Sequence, residues 1–368
     1  MSRQLFFSLA IVVLLIAMGL LMIFNTSSAE VLDRLSNKST HAALYKQIVY
    51  AFCGAFSAIL VWKVGHRNLV RYSGVLLVCT TVALLLLFVP GIGQKINGAR
   101  RWLSIGPLSF QPSECAKYLI PLYYIRVIIQ KQSLNFVSFL KLITTLAIPL
   151  GLILIEPDNG TTALILVTLC VLFLLTRVSF LYWGLPLLLL VGGGTALALR
   201  MPHVSHRIEV YLNPELDLLG KGHQPYQAKI AAGSGGLFGR GLAGSLQKLD
   251  YLPEAGNDYI AAIFAEEFGF FGIMILIGLY GALGAIGFHI GTKAATLEGF
   301  YVATIIAFLI LLQAFLNLGV VSGLLPSKGM NLPFFSQGGT SLVVNLMAVA
   351  LMLQVFKKSA EKSCEPRP

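Results

Sequence analysis

The chain has 368 residues and a formal net charge of +11, yet only 12% of its residues are charged and 56% are hydrophobic. A soluble domain carries about 25% charged residues, so a water-soluble globular protein is excluded and an integral α-helical membrane protein is expected. The basic surplus does not make a nucleic-acid patch, because Lys and Arg punctuate the apolar runs as anchors and orientation signals do.

Apolar stretches able to cross a bilayer, each needing about 20 residues, predict ten spans. They fall at residues 4–24, 46–64, 71–90, 113–129, 136–155, 161–176, 180–199, 259–286, 300–323 and 339–356. The first, Leu5 to Phe24, exceeds the roughly 7–15-residue core of a secretory signal and reads as a retained span. An even number of spans places both termini on one side. With the N-terminus in the cytoplasm, inner segments hold thirteen Lys and Arg and the short outer loops seven, which favours cytoplasmic termini. The expectation is an all-α polytopic domain over 1–368. One long extracytoplasmic loop, 200–258, lies between spans seven and eight, and a cytoplasmic tail covers 357–368. Five scattered cysteines without a C-x-x-C pair suggest neither a zinc site nor a disulfide framework. No G-x-x-x-x-G-K-[ST] sequence is present, so no ATP-driven site is expected.

Residues 97–117 come first among the polar motifs. Arg100 and Arg101 sit on the outer side against the orientation rule, beside Trp102. Their guanidinium forks suit phosphate or pyrophosphate oxygens, or they anchor the interface. Glu114 and Lys117 follow at i and i+3 on the entrance of a span, where they can pair. They read as a functional pair at membrane depth or as a structural ion pair. Glu156-Pro157-Asp158-Asn159-Gly160 is an outer turn whose carboxylates could meet a divalent cation or cap the next helix.

In the long loop, Gly233 to Gly244 holds a glycine-rich run with Arg240. It reads as an anion-binding nest or as a linker. Asp258 stands where span eight begins; a partly desolvated carboxylate there can act as a general base, or it caps the helix. Glu266 and Glu267 lie deeper, either paired or relaying protons. The segment Ser322–Thr340, with two prolines and four glycines, breaks helix at membrane depth, which is tolerated where backbone lines a cavity or is buried in protein. Lys328 adds a cation there.

Taken together and in this order, these blocks resemble the shape, elongation, division and sporulation (SEDS) family, also known as the FtsW/RodA family. The resemblance runs from about Gly98 to Leu346. It rests on Ala99-Arg-Arg-Trp-Leu, Gln111-Pro-Ser-Glu-x-Ala-Lys117, Glu156-Pro-Asp-x-Gly160, Ala232-Gly-Ser-Gly-Gly-Leu-x-Gly-x-Gly241, Leu252-Pro-Glu-Ala255 and Leu332-Pro-x-x-Ser-x-Gly-Gly339. Pro253-Glu-Ala255 and Pro326-Ser-Lys-Gly329 look more like the division branch, FtsW, than the elongation branch, RodA. The resemblance implies a peptidoglycan glycosyltransferase that polymerises lipid II outside the membrane. It also implies a class B penicillin-binding protein as partner, further division or elongation proteins, and a place in the inner membrane at the septum.

The family's essential aspartate matches Asp258, and its membrane-embedded acid–base pair matches Glu114 and Lys117. Arg101, Arg240 and Lys328 are the further cations expected to hold the leaving pyrophosphate. No resident metal site is expected; a divalent cation is the one cofactor the chemistry leaves room for. Two positions depart from the family pattern: Gly256-Asn257 replaces His-Thr before the aspartate, and Gln337 replaces Tyr before the last Gly-Gly. The rival readings are a flippase for the lipid precursor, which would need a midplane site open to both sides, and a non-catalytic scaffold.

Overall fold

A computed structural model describes residues 3–33, 40–96, 99–106, 108–131, 134–198, 209, 211–218, 220, 222–249, 252 and 255–364. Part of the expected long loop (201–208), together with Pro253, Glu254 and the last four residues of the tail, lies outside the described residues.

Every predicted span falls on a helix. These are α1 (Arg3–Asp33), α2 (Ala42–Val64), α3 (His66–Leu86), α4 (Pro112–Lys131), α5 (Phe136–Ile155), α6 (Asn159–Leu175) and α7 (Phe180–Ala198), followed after a short helix α8 (His223–Ser234) by α9 (Ile260–Thr292), α10 (Leu297–Val321) and α11 (Gly339–Cys364). Seven are long and apolar enough to cross a membrane: α1, α2, α3, α5, α9, α10 and α11. Asn159–Leu175 and the first half of α7 are shorter apolar helices. In α4, Glu114, Lys117, Arg126 and Lys131 lower the hydropathy. Its first turns are buried by protein nonetheless, Ile120, Tyr124 and Ile125 being fully enclosed.

The large apolar side chains left exposed are those of a lipid-facing surface, such as Phe52 and Phe56 of α2 and Leu181 and Leu188 of α7. Between helices the contacts run through small residues, which let backbones approach where no hydrophobic force drives association. A Cβ at Gly284, Gly287 or Gly291 of α9 would collide with Leu311, Ala307 or Thr304 of α10.

One element departs from the all-helical expectation. Strands β1 (Gly93–Ile96), β2 (Ala99–Ile105) and β3 (Leu108–Phe110) form an antiparallel sheet in the order β1-β2-β3. The sequence carries a hairpin signal here, Asn97-Gly98. The sheet is docked by Tyr50 of α2, whose hydroxyl accepts from Ser109 N–H at 2.7 Å and bonds the Ser109 carbonyl at 2.8 Å. Thr340 of α11 donates to the same carbonyl at 3.1 Å.

α9 is two helical pieces joined at Gly269, where φ is +66°. A break frees backbone groups, and in an apolar medium each must find a partner. The glycine-rich run supplies them. Arg240 and Gly241 donate N–H groups to the carbonyls of Glu266 and Glu267 at 2.9 and 3.0 Å. Phe270 and Phe271 donate to the carbonyls of Gly236 and Leu237 at 2.9 and 3.2 Å. The two backbones lie so close that a Cβ at Gly235 or Gly239 would overlap the Ala265 or Glu267 carbonyl. This run is therefore a splint for the broken helix, and the Arg240 and Gly241 N–H groups are committed to it rather than open to an anion.

Buried charges fasten the same junction. Glu266 accepts from Ser245 Oγ at 2.5 Å and from Leu246 N–H at 3.1 Å, and it pairs with Arg240 at 3.3 Å. Glu267 accepts from Lys248 Nζ at 2.9 Å and from Asn25 Nδ2 of α1 at 2.7 Å. Both glutamates are therefore paired.

Gly239→Ala is expected to lower the thermal unfolding midpoint in detergent well below that of Gly236→Ala. Both glycines have positive φ, which costs an L-residue about 1–2 kcal/mol, but only at Gly239 does the added methyl meet backbone; around Gly236 the space is open.

Candidate active site

The helix ends converge on a cavity of about 730 Å³. Its walls come from α2, the N-terminal turns of α4, α6 and α11, the residues just before α9, the C-terminal half of α10, the sheet, and the non-helical segment before α11. In a bundle of alternating spans these helix ends share one side, the side expected to be extracytoplasmic.

Of the residues singled out in the sequence, Asp258, Arg101, Glu114, Lys117 and Asp158 line this cavity, as do Trp102, Asn257 and Gln337. Arg240 does not; its guanidinium is held on Glu266 by the splint. Lys328 is exposed and also stands outside the lining, although its neighbour Gly329 is part of it.

Lys117 is the most enclosed cation of the site, 1% exposed. An isolated ammonium at such a place would be costly. Its charge is met by Glu114 one turn earlier, while Gln313 of α10 accepts from Nζ at 2.9 Å. Arg101 and Arg100 follow each other on β2, where successive side chains point to opposite faces. Arg100 is exposed, whereas Arg101 turns inward and clamps the turn between α5 and α6. Its Nε donates to the Glu156 carbonyl at 3.1 Å and its Nη2 to the Pro157 carbonyl at 2.7 Å. Asp158 in that turn takes the capping role: it accepts from Thr161 N–H at 3.2 Å, and its other oxygen accepts from Ser113 Oγ at 3.2 Å. This joins α4 to α6.

Asp258 ends the long loop just before α9. Its carboxylate lies against Gly329, where a Cβ would stand 2.6 Å from Oδ2. The two positions that depart from the family pattern meet beside it: Gln337 N–H donates to the Gly256 carbonyl at 3.1 Å.

Three groups were not singled out from the sequence. Lys46 of α2 lines the cavity and is exposed to it. Gln313 and Asn317 of α10 are buried. Two amides at i and i+4 within an otherwise apolar span were the legible signal, since polar groups at membrane depth are expensive.

Glu156 sits in the turn outside the helical spans, 2% exposed, and neither carboxylate oxygen has a hydrogen-bond partner among the described residues. Burial, reinforced by Asp158 and opposed by Arg101, pushes its pKa up to about 8. A carboxyl so shifted is mainly protonated at pH 7. The described residues contain no group of three or more His, Cys, Asp or Glu able to hold a metal ion.

The class these features define is a polytopic membrane protein with a polar, one-sided cavity, in which a carboxylate, a buried ammonium and a guanidinium converge. The chain belongs to the FtsW/RodA/SpoVE family: the family model, described as cell cycle protein, matches residues 5–361. It is 37% identical to the probable peptidoglycan glycosyltransferase FtsW of Saccharophagus degradans, over 100% of this chain and 96% of that one. It is 35% identical to the stage V sporulation protein E of Bacillus subtilis, with 95% and 96% covered. Among solved structures it is similar to a peptidoglycan synthase complex studied for its coordination of polymerisation and crosslinking, with a TM-score of 0.76, 27% identity and 97% of each chain covered. It is also similar to an aspartate-to-alanine variant of Thermus thermophilus RodA, with a TM-score of 0.68, 28% identity, and 95% and 96% covered.

Two substitutions probe this geometry. Glu156 binds its proton more tightly when folded than when unfolded, so it withdraws stability as pH rises from about 4.5 to about 8. Glu156→Gln is expected to remove that decline, so that its unfolding midpoint gains on wild type between pH 5 and 8 and stays level above. Gly329→Ala is expected to displace the Asp258 carboxylate, reducing turnover by about tenfold or more while the unfolding midpoint changes little; normal turnover would show that the carboxylate has room to move.

Proposed function

We propose that this chain is a peptidoglycan glycosyltransferase that polymerises lipid II into glycan strands on the outer side of the cytoplasmic membrane, with Asp258 as its general base. The observation that carries the reading is the meeting of Asp258 with Lys117 and Arg101, which lie far from it in the sequence, in one polar cavity. The family membership and the names of its relatives support the activity.

The chemistry follows from the donor. The acceptor sugar hydroxyl loses its proton to the Asp258 carboxylate as its oxygen bonds the donor's anomeric carbon. The bond from that carbon to the pyrophosphate oxygen breaks, and the lipid pyrophosphate leaves with the electron pair. Its growing negative charge needs cations already in place. Lys117, Arg101 and Lys46 are those the cavity offers. The activated donor supplies the energy, which accounts for the lack of a nucleotide motif. The donor set does not fit a resident metal ion among the described residues. A divalent cation would enter only as an ion carried by the pyrophosphate.

The one-sided cavity favours polymerase over flippase. The names of the relatives support division over elongation, and with it a septal role; the excess of Lys and Arg on the inner segments supports cytoplasmic termini. The similarity to a peptidoglycan synthase complex supports a class B penicillin-binding protein as partner.

Purified protein given lipid II, alone and with a candidate penicillin-binding partner, is expected to yield glycan strands. Asp258→Asn is expected to lower the rate by about 100-fold or more without loss of folding or partner binding. Unchanged strands from the variant would move the base elsewhere. A silent wild type, where a related polymerase works, would turn the reading to transport or scaffolding.

A further inference from the structure

Asn317 does not line the cavity, yet it touches both strands of chain that shape its catalytic wall. It lies one turn before the C-terminal end of α10, 2% exposed. Its side-chain amide has two hydrogens, and both are committed: Nδ2 donates to the backbone carbonyl of Asp258 at 2.9 Å and to that of Met330 at 2.7 Å. Gly329, the residue before Met330, packs against the carboxylate of Asp258 itself. One turn earlier on the same face of α10, Gln313 repeats the pattern. Its Nε2 donates to the Asn331 carbonyl at 2.8 Å, and its Oε1 accepts from Lys117 Nζ at 2.9 Å. A single helix face thus sets the spacing between Asp258, the segment at 329–331 and Lys117.

We propose that Asn317 is a positioning residue for Asp258: it holds the aspartate's backbone and the 329–331 segment in one register, and thereby the base against the acceptor hydroxyl and against the Lys117 side of the cavity. This rests on the assignment of Asp258 as base. Asn317 itself touches neither substrate nor reacting atoms. Its removal leaves the buried Met330 carbonyl and the part-buried Asp258 carbonyl without this donor, and they relieve this by moving apart or drawing in water. Displacements of about 1 Å at a base are enough to slow a reaction by about 100-fold, while the parts of the cavity that bind pyrophosphate are untouched.

The test has two readings, made on the full-length protein in nanodiscs. In lipid II polymerisation, with rates corrected for the folded fraction, Asn317→Ala is expected to lower kcat between about 10- and 100-fold with KM within about twofold of wild type, and to move the acid limb of the kcat–pH profile. Asn317→Ser, which keeps one donor, is expected to fall between them. In hydrogen exchange, peptides spanning 256–262 and 328–332 are expected to take up deuterium faster together in Asn317→Ala, while 159–165 in α6 stays as in wild type. Unchanged kcat, or a rise in KM alone, would overturn the positioning role. So would exchange that rises across the whole molecule, which marks a merely structural residue. The exchange reading does not depend on activity, so a wild type that fails to polymerise while the two peptides still loosen together would count against the proposed function and not against the coupling. Should Asn317→Ala fail to fold, Asn317→Ser carries both readings.

Discussion

A chain that leaves helical geometry inside a membrane must find a partner for every backbone group it exposes, because hydrocarbon offers none. The segment between α10 and α11 does this at close quarters. Four successive carbonyls, from Met330 to Pro333, are bonded by Asn317, by Gln313, by the segment's own Phe335 and Ser336 N–H groups, and by the Tyr280 hydroxyl. Phe334 is held at a φ of +65°, a conformation a bulky residue keeps only when its surroundings determine it. α1 contributes by bringing Gly19 against the Phe334 and Phe335 backbone. Satisfying this one segment draws α1, α2, α9 and α10 together, and the cavity is the space that remains beside it.

The same rule explains the broken α9. Its freed groups at Gly269 are repaired by the glycine-rich run, with Glu266 and Glu267 tying the repair to α1 and to the loop. The loop that ends at Asp258 is thereby fastened at residues 235–248, and its last residues emerge at the cavity mouth. The loop that leads to Asp258 is thus anchored by backbone contacts made outside the cavity.

Electrostatics divides the charges into two sets. Glu266, Glu267, Lys248 and Arg240 balance one another away from the cavity. Inside it, Lys117 is balanced by Glu114 alone, while Arg101 serves carbonyls rather than carboxylates. The cavity lining thus holds three cations, Lys46, Arg101 and Lys117, facing three carboxylates, Glu114, Asp158 and Asp258.

Membrane class, span positions and the order of motifs were legible because hydropathy is a property of local runs. Span edges drifted by a few residues, as at α3, which ends at Leu86 rather than near residue 90. The sheet is hard to read from the sequence, although Asn97-Gly98 signals a hairpin, because a short polar stretch between spans reads as plain loop. Asp258, Lys117, Glu114 and Arg101 could be singled out as ionisable groups at or near membrane depth. Arg240 looked the same in the sequence, and only its salt bridge with Glu266 separates it from them. Gln313 and Asn317 escaped notice because an uncharged amide scarcely disturbs the hydropathy of a span.

By itself, then, the sequence determined that the chain spans a membrane, roughly where it crosses, and which charged groups are too costly there to be incidental. Tertiary structure alone decided which of those groups share a cavity, that Asp258 and Gln337 stand on the same wall, and that the glycine run mends a helix instead of cradling an anion. The physical reason is that burial preference is written residue by residue along the chain. The partner of a freed carbonyl or a buried ammonium is chosen by packing between segments that the sequence keeps far apart.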